Sequence, residues 1–366
     1  MSRLKCRICF VFAVGMISLV AGLVAAQEGD GQGTVEFWEM QDSTVDVSMR
    51  GLFAVDELVC WASGAEGTVI KTLDGGESWT NVSVPGAEKL DFRDVHAFDE
   101  NRAIVISAGH PSRVYRTNEG GENWKLVFEH PSEAAFFDAM SFFDDQHGLA
   151  FSDPIDGRLL LIETLDGGET WRELDREQRP ETVTGEAGFA ASGTCLTILG
   201  DQVWIGLGGE FQNSDLESAR ILKMNREEPG DWQVADSTIM TGQSSGVFSL
   251  VFPNADHGIA VGGDYTKEDE TGNNVAITED GGKTWRAIDG DPPSGYRSAV
   301  AVLNFSNKSV LVCVGPNGTD LSMDFGNHWG RISDKGFHAL SFTANSKAGW
   351  AVGSEGRIAR FRLEEE

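Results

Sequence analysis

The sequence predicts an all-β chain closed into a seven-bladed propeller, and three observations predict it. A turn motif of Asp, Gly and Trp recurs along the chain, the same order of short apolar strands recurs between its copies, and a strand near the N-terminus matches the one missing from the last unit. Glycine supplies 44 of 366 residues, about 12% against a usual ~7%, as a chain of many tight turns requires.

Residues 1–26 stand apart from this pattern. Arg3, Lys5 and Arg7 precede an apolar run from Ile8 to Val24 and then small residues, the layout of a secretory signal cleaved after Ala26. The run has 17 residues, so an uncleaved membrane anchor is the alternative. Either reading places residues 27–366, a single domain, outside the cytoplasm, in a periplasm or secreted. Cys6 and Cys9 leave with the signal. Cys60, Cys195 and Cys313 remain, odd in number and widely spaced, which suits buried free thiols better than a disulfide framework or a zinc site.

The turn motif reads Thr/Ser-x-Asp-x-Gly-x-x-Trp. It stands as Thr72 to Trp79 with Asp74, as Thr164 to Trp171 with Asp166, and as Thr278 to Trp285 with Asp280. Glu119 with Trp124, and Asp324 with Trp329, mark two variants, and a decayed copy ends at Trp232. The tryptophans are 45, 47, 61, 53 and 44 residues apart, close to the period of one four-stranded blade. The glycines accept positive φ, the carboxylate accepts hydrogen bonds from turn N–H groups, and the indole covers the corner. The motif is a structural staple, since a carboxylate engaged in its own turn is poorly placed to reach a substrate.

Between staples the strands follow one order. Gly51-Leu-Phe-Ala-Val55, Leu58-Val-Cys-Trp-Ala62 and Thr68-Val-Ile-Lys71 precede the first staple. Later units repeat it, with Phe142 leading to His147-Gly-Leu-Ala-Phe151, Phe252 to His257-Gly-Ile-Ala-Val261, and Phe342 to Ala348-Gly-Trp-Ala-Val352. Unit cores begin near residues 49, 91, 135, 187, 245, 295 and 336, which makes seven. The last unit stops at Arg357-Ile-Ala-Arg-Phe-Arg362 without a staple or fourth strand, and Val35-Glu-Phe-Trp38-Glu-Met supplies that strand, closing the ring and removing two open edges.

These residues resemble the bacterial neuraminidase repeat, or Asp-box, propellers. Over roughly 330 residues the mature chain is similar to the photosystem II stability/assembly factor group. The resemblance implies a non-enzymatic, extracytoplasmic helper that holds a membrane-protein precursor during assembly. It also admits an alternative, because sialidases share the staple and grip a sugar carboxylate with arginines beside a Tyr nucleophile.

Strand order places the staples on one face and the turns between second and third strands on the other, so the staple face is expected to be inert and the opposite face to recognise a partner. Superposing the unit starts aligns Arg50, Arg93, Phe137, Ala191, Phe248, Arg297 and His338 around the axis. The three arginines, with His338, would suit a protein client or small anionic ligand through bidentate hydrogen bonds. Tyr296, Asp153, Asp264 and Tyr265 complete the candidate surface, and Tyr296 beside Arg297 carries the hydrolase alternative. The formal charge of −28 opposes nucleic acid as a partner. The acidic run around Asp264 lacks the alternating oxygen spacing of a calcium loop, and no nucleotide, flavin or metal motif stands in the chain, so no cofactor is expected.

Overall fold

In the computed structural model the described residues are 36–212, 216–305, 308–343 and 349–361, so the expected signal segment lies outside them. They form seven antiparallel sheets. The first blade is Met49–Ala54, Cys60–Gly64, Val69–Thr72 and Thr80–Asn81, and the second is Asp91–Ala97, Ala103–Ala108, Arg113–Thr117 and Lys125–Glu129. The third is Phe137–Phe142, Gly148–Ile155, Arg158–Thr164 and Arg172–Glu173. Leu196–Leu199, Gln202–Gly206, Ser218–Asn225 and Gln233–Met240 make the fourth. The fifth holds Ser245–Val251, Gly258–Asp264 and Val275–Thr278, its outer strand reduced to a bridge between Ile277 and Arg286. Ala299–Phe305, Lys308–Gly315, Gly318–Ser322 and Gly330–Ser333 make the sixth.

The seventh blade joins the chain ends. Trp38–Gln41 pairs antiparallel with Ile358–Phe361, Trp38 opposite Phe361 and Gln41 opposite Ile358. Trp38 is 1% exposed, packs on Phe337 and Phe361 at 4.8 and 4.9 Å, and donates its indole N–H to Thr319 Oγ1 of the sixth blade at 3.0 Å. The first strand of each blade contacts the first strand of the next, and that of the seventh contacts Met49–Ala54, so the ring is closed.

Core packing explains the repeated Phe and Gly. A Cβ on Gly148, Gly258 or Gly349 would run into the ring of Phe142, Phe252 or Phe342 respectively. Glycine at the head of the second strand in these three blades therefore lets the phenylalanine at the end of the first lie flat across it. Cys60, Cys195 and Cys313 are buried and free, and burial pushes each thiol up.

The staples form as sketched by the sequence. Thr72 Oγ1 accepts from Gly76 N–H at 2.8 Å and donates to Asp74 Oδ1 at 2.8 Å, while Asp74 accepts from Ser78 N–H at 2.9 Å and Ser78 Oγ at 2.6 Å. Thr164 with Asp166, Thr278 with Asp280 and Ser322 with Asp324 repeat the net. Gly75 and Gly76 take φ of 75° and 89°, which only glycine adopts without cost. In the Glu119 variant the longer side chain reaches Asn123 Nδ2 at 2.6 Å instead. Trp79, Trp171, Trp285 and Trp329 are buried, and Trp124, partly buried, donates to Val82 O of the preceding blade.

One hydrogen bond fixes which face these corners occupy. Gly75 N–H donates to Leu58 O, Gly120 to Asn101 O, Gly167 to Gln146 O, Gly281 to Asp256 O and, in the decayed copy, Arg226 to Asp201 O. Every acceptor lies in the turn between the first and second strands of the same blade. The corners of these five blades share one rim, and the starts of the innermost strands point to the other.

The fourth blade departs from expectation. It begins at Leu196, not near residue 187, because Glu186–Ala187 pairs with Gly208–Gly209, which joins the inner edge of the fifth sheet through Gly208 and Gly246. Residues 188–194 form a strap across the axis. Gly188 sits on the Asp138 carboxyl, where a Cβ would fall 2.5 Å from Cγ, and Gly193 sits on Asp94. Ala191 therefore belongs to the strap rather than to an innermost strand.

Candidate functional site

The face opposite the staples gathers cations around the axis. Arg50, near the start of the first innermost strand, is half-buried and makes no hydrogen bond or ion pair with any described residue. Burial, and then the Arg93 guanidinium, push its pKa below the ordinary arginine value. Arg93, on a bulge of the second innermost strand, keeps Asp91 at 2.8 Å through Nε and donates Nη1 to Ala190 O of the strap at 3.2 Å. His338 lies beside them, its Nε2 3.0 Å from Ser354 Oγ. Burial, helped by Arg50, Arg357 and Arg93, pushes its pKa down to about 3, so the imidazole is neutral and can donate or accept.

An aromatic shelf adjoins the cations. Phe189 of the strap stacks on Phe248 at 4.1 Å, Tyr296 meets Phe248 edge-on at 4.7 Å, and Tyr265, 48% exposed, stands over both Phe189 and Phe248 at 6.4 and 6.2 Å. Phe189 lies outside the repeat pattern and was not among the expected site residues, and only the strap's path brings it here.

Arg297 does not join the cluster. Its side chain is fully buried, donates Nε to Asp320 Oδ2 at 2.7 Å and pairs again through Nη2, while Nη1 reaches Tyr296 O and Asn317 Oδ1 at 2.7 Å each. It turns into its own blade because Asp320 there offers a buried carboxylate, so the three arginines expected at the axis reduce to two from that alignment, with Arg357 as a neighbour. Phe137 is fully buried in the core between blades. Asp264 is 8% exposed and caps its own loop, accepting from Thr266 N–H at 2.9 Å and Thr266 Oγ1 at 2.7 Å. Asp153 holds the strap by accepting Gly188 N–H at 2.9 Å, and burial raises its pKa to about 6.

The tyrosine expected as the hydrolase nucleophile is not poised for that role. Tyr296 is 5% exposed and burial pushes its phenol above the ordinary value, opposite to what a nucleophile needs. Among the described residues no three His, Cys, Asp or Glu side chains are gathered as a metal would require. The arrangement offers a rigid ring, unpaired positive charge at its mouth and an apolar shelf beside it, which suits recognition of a carboxylate with a neighbouring apolar group.

Comparison with known proteins agrees with this architecture. Residues 32–132 match the model of the photosynthesis system II assembly factor YCF48 family. The solved structure of YCF48 from Cyanidioschyzon merolae superposes with a TM-score of 0.62 at 18% identity, covering 89% of this chain and 99% of that one. A second, described as YCF48 bound to D1 peptide, superposes with a TM-score of 0.59 at 16% identity, covering 90% and 96%. No curated protein sequence matches. The chain is thus a seven-bladed β-propeller with Asp-box corners, similar over residues 32–132 to the YCF48 family and in its fold to those two solved structures.

Proposed function

We propose that this chain is a non-catalytic, extracytoplasmic binding propeller that holds a protein client, a membrane-protein precursor among the candidates, by a carboxylate-bearing segment. The client is gripped on the face opposite the staples by Arg50, Arg93 and His338, with Tyr265 and Phe189 beside them. The observation that carries this reading is Arg50: a half-buried guanidinium that makes no hydrogen bond or ion pair with a described residue, in a chain of formal charge −28. An acidic protein has carboxylates to spare, yet the nearby Asp91 pairs with Arg93 and reaches Arg50 only through its field, which leaves the Arg50 guanidinium open to an outside anion. The D1 peptide in one similar structure supports a protein client over a small metabolite. The buried phenol of Tyr296 and the sequestered Arg297 speak against the hydrolase alternative.

The test is capture from a native envelope extract by the parent chain and by Arg50→Glu/Arg93→Glu, with captured proteins identified by mass spectrometry and both melts recorded. The double variant should fold with an unchanged melt and lose the parent's partners. Recovery of the same partners by both would remove the axial site.

A further inference from the structure

The opposite end of the ring, expected to be inert, holds a well. All seven innermost strands contribute to its wall, and it encloses about 500 Å³, within the range of small-molecule sites. Its floor is the strap at Ser192, Gly193 and Thr194, which separates it from the cationic mouth on the other face. Its rim is aromatic and aliphatic, with Phe53, Phe142, Val302 and Phe342 each partly exposed to it.

The wall carries no lysine or arginine. Its one carboxyl, Asp94, is buried, accepts Val95 and Met140 N–H at 2.8 Å each, and is driven by burial well above the ordinary carboxylate range. Ser141 and Thr197 add hydroxyls to the wall, and its one imidazole is His96. Its ring stacks on Phe142 at 4.2 Å, lies 4.5 Å from Phe53, and makes no hydrogen bond with any described residue. Burial pushes its pKa down to about 3, so it presents one donor and one acceptor nitrogen rather than a charge. An anion would find no cationic side chain here and would face the field of the acidic chain, and a cation would find only a carboxyl already engaged by two backbone N–H groups.

We propose that this axial well binds an uncharged small molecule with an apolar or aromatic body and a hydrogen-bonding group that meets His96. The site is independent of the client face, because the strap closes the axis between them. Nile red, uncharged and lipophilic with a carbonyl acceptor, is a suitable probe, and 1-anilinonaphthalene-8-sulfonate is its anionic counterpart. Titrated into the full chain, Nile red should saturate at one probe per chain with blue-shifted emission and bind more tightly than the sulfonate. Ala301→Trp, and separately Thr197→Phe, should fill the well and weaken Nile red about tenfold or more with the melt retained. His96→Phe, which keeps the apolar wall, should weaken it by a smaller factor, and Arg50→Glu/Arg93→Glu should leave it unchanged. Absence of saturable binding, undiminished binding by a folded well-filling variant, or equal affinity for the sulfonate would each overturn the proposal.

Discussion

Arg50 and Arg297 align when the repeats are superposed, yet they do opposite work. The Arg50 guanidinium makes no hydrogen bond or ion pair with a described residue, whereas Arg297 is sealed against Asp320 with Tyr296 O and Asn317 as further acceptors. A buried ion pair contributes little relative to an apolar pair, but removing one member strands the other. Arg297→Ala should therefore cost about 3–5 kcal/mol in urea unfolding, and Arg297→Met combined with Asp320→Leu should recover most of it. A neutral single variant would mean that Asp320 is satisfied without Arg297. Sequence alone aligned these arginines because register is visible in it. What it hides is the partner across the blade, since Asp320 lies 23 residues away on a strand whose side-chain direction depends on the twist. Asp138 was equally hidden: the strap folds over it, neither oxygen finds a hydrogen-bond partner, and burial, then Asp153, raise its pKa far above the ordinary value.

At the scale of elements, the legible parts were those the repeat enforces. The staples keep Thr or Ser, an acidic residue and Gly in fixed order for one hydrogen-bond net, and in three blades a phenylalanine closing the first strand requires glycine opposite, so the pattern survives in the sequence and the blades could be counted. The strap and the paired residues 186–187 and 208–209 follow no repeat, and the fourth blade was accordingly misplaced by nine residues, from 187 to 196. The closing strand is legible for a different reason, because a unit short of one strand must find it elsewhere. Trp38–Gln41 supplies four ladder positions, and Gln41 also holds the first staple through Gly75 O and the Trp79 indole. Deleting residues 34–47 exposes Phe361, Ile358 and a bare strand edge, and should lower the melting temperature sharply and promote self-association. An unchanged melt with a monomeric elution profile would show that the ring does not depend on this closure.

Charge works at the scale of the whole molecule, and it makes opposite demands on stability and on recognition. With Asp and Glu at 57 against Lys and Arg at 29, the folded chain concentrates negative charge, and its compact state suffers self-repulsion that added salt screens. The proposed client site draws its strength from the reverse, a few cations that attract a carboxylate, and salt weakens that attraction. Raising salt from about 0.02 to about 0.5 M should therefore raise the melting temperature while reducing capture of a carboxylate-bearing client, with Nile red in the axial well little affected. The three readouts separate the terms: the melt reports the surface as a whole, capture reports Arg50 and Arg93, and the probe reports a wall without lysine or arginine. A melt that falls with salt would mean that the surface ion pairs, such as Arg113 with Glu129 and Arg286 with Glu279, outweigh the net repulsion. Capture that strengthens with salt would point to an apolar grip by the Tyr265 and Phe189 shelf in place of the cations.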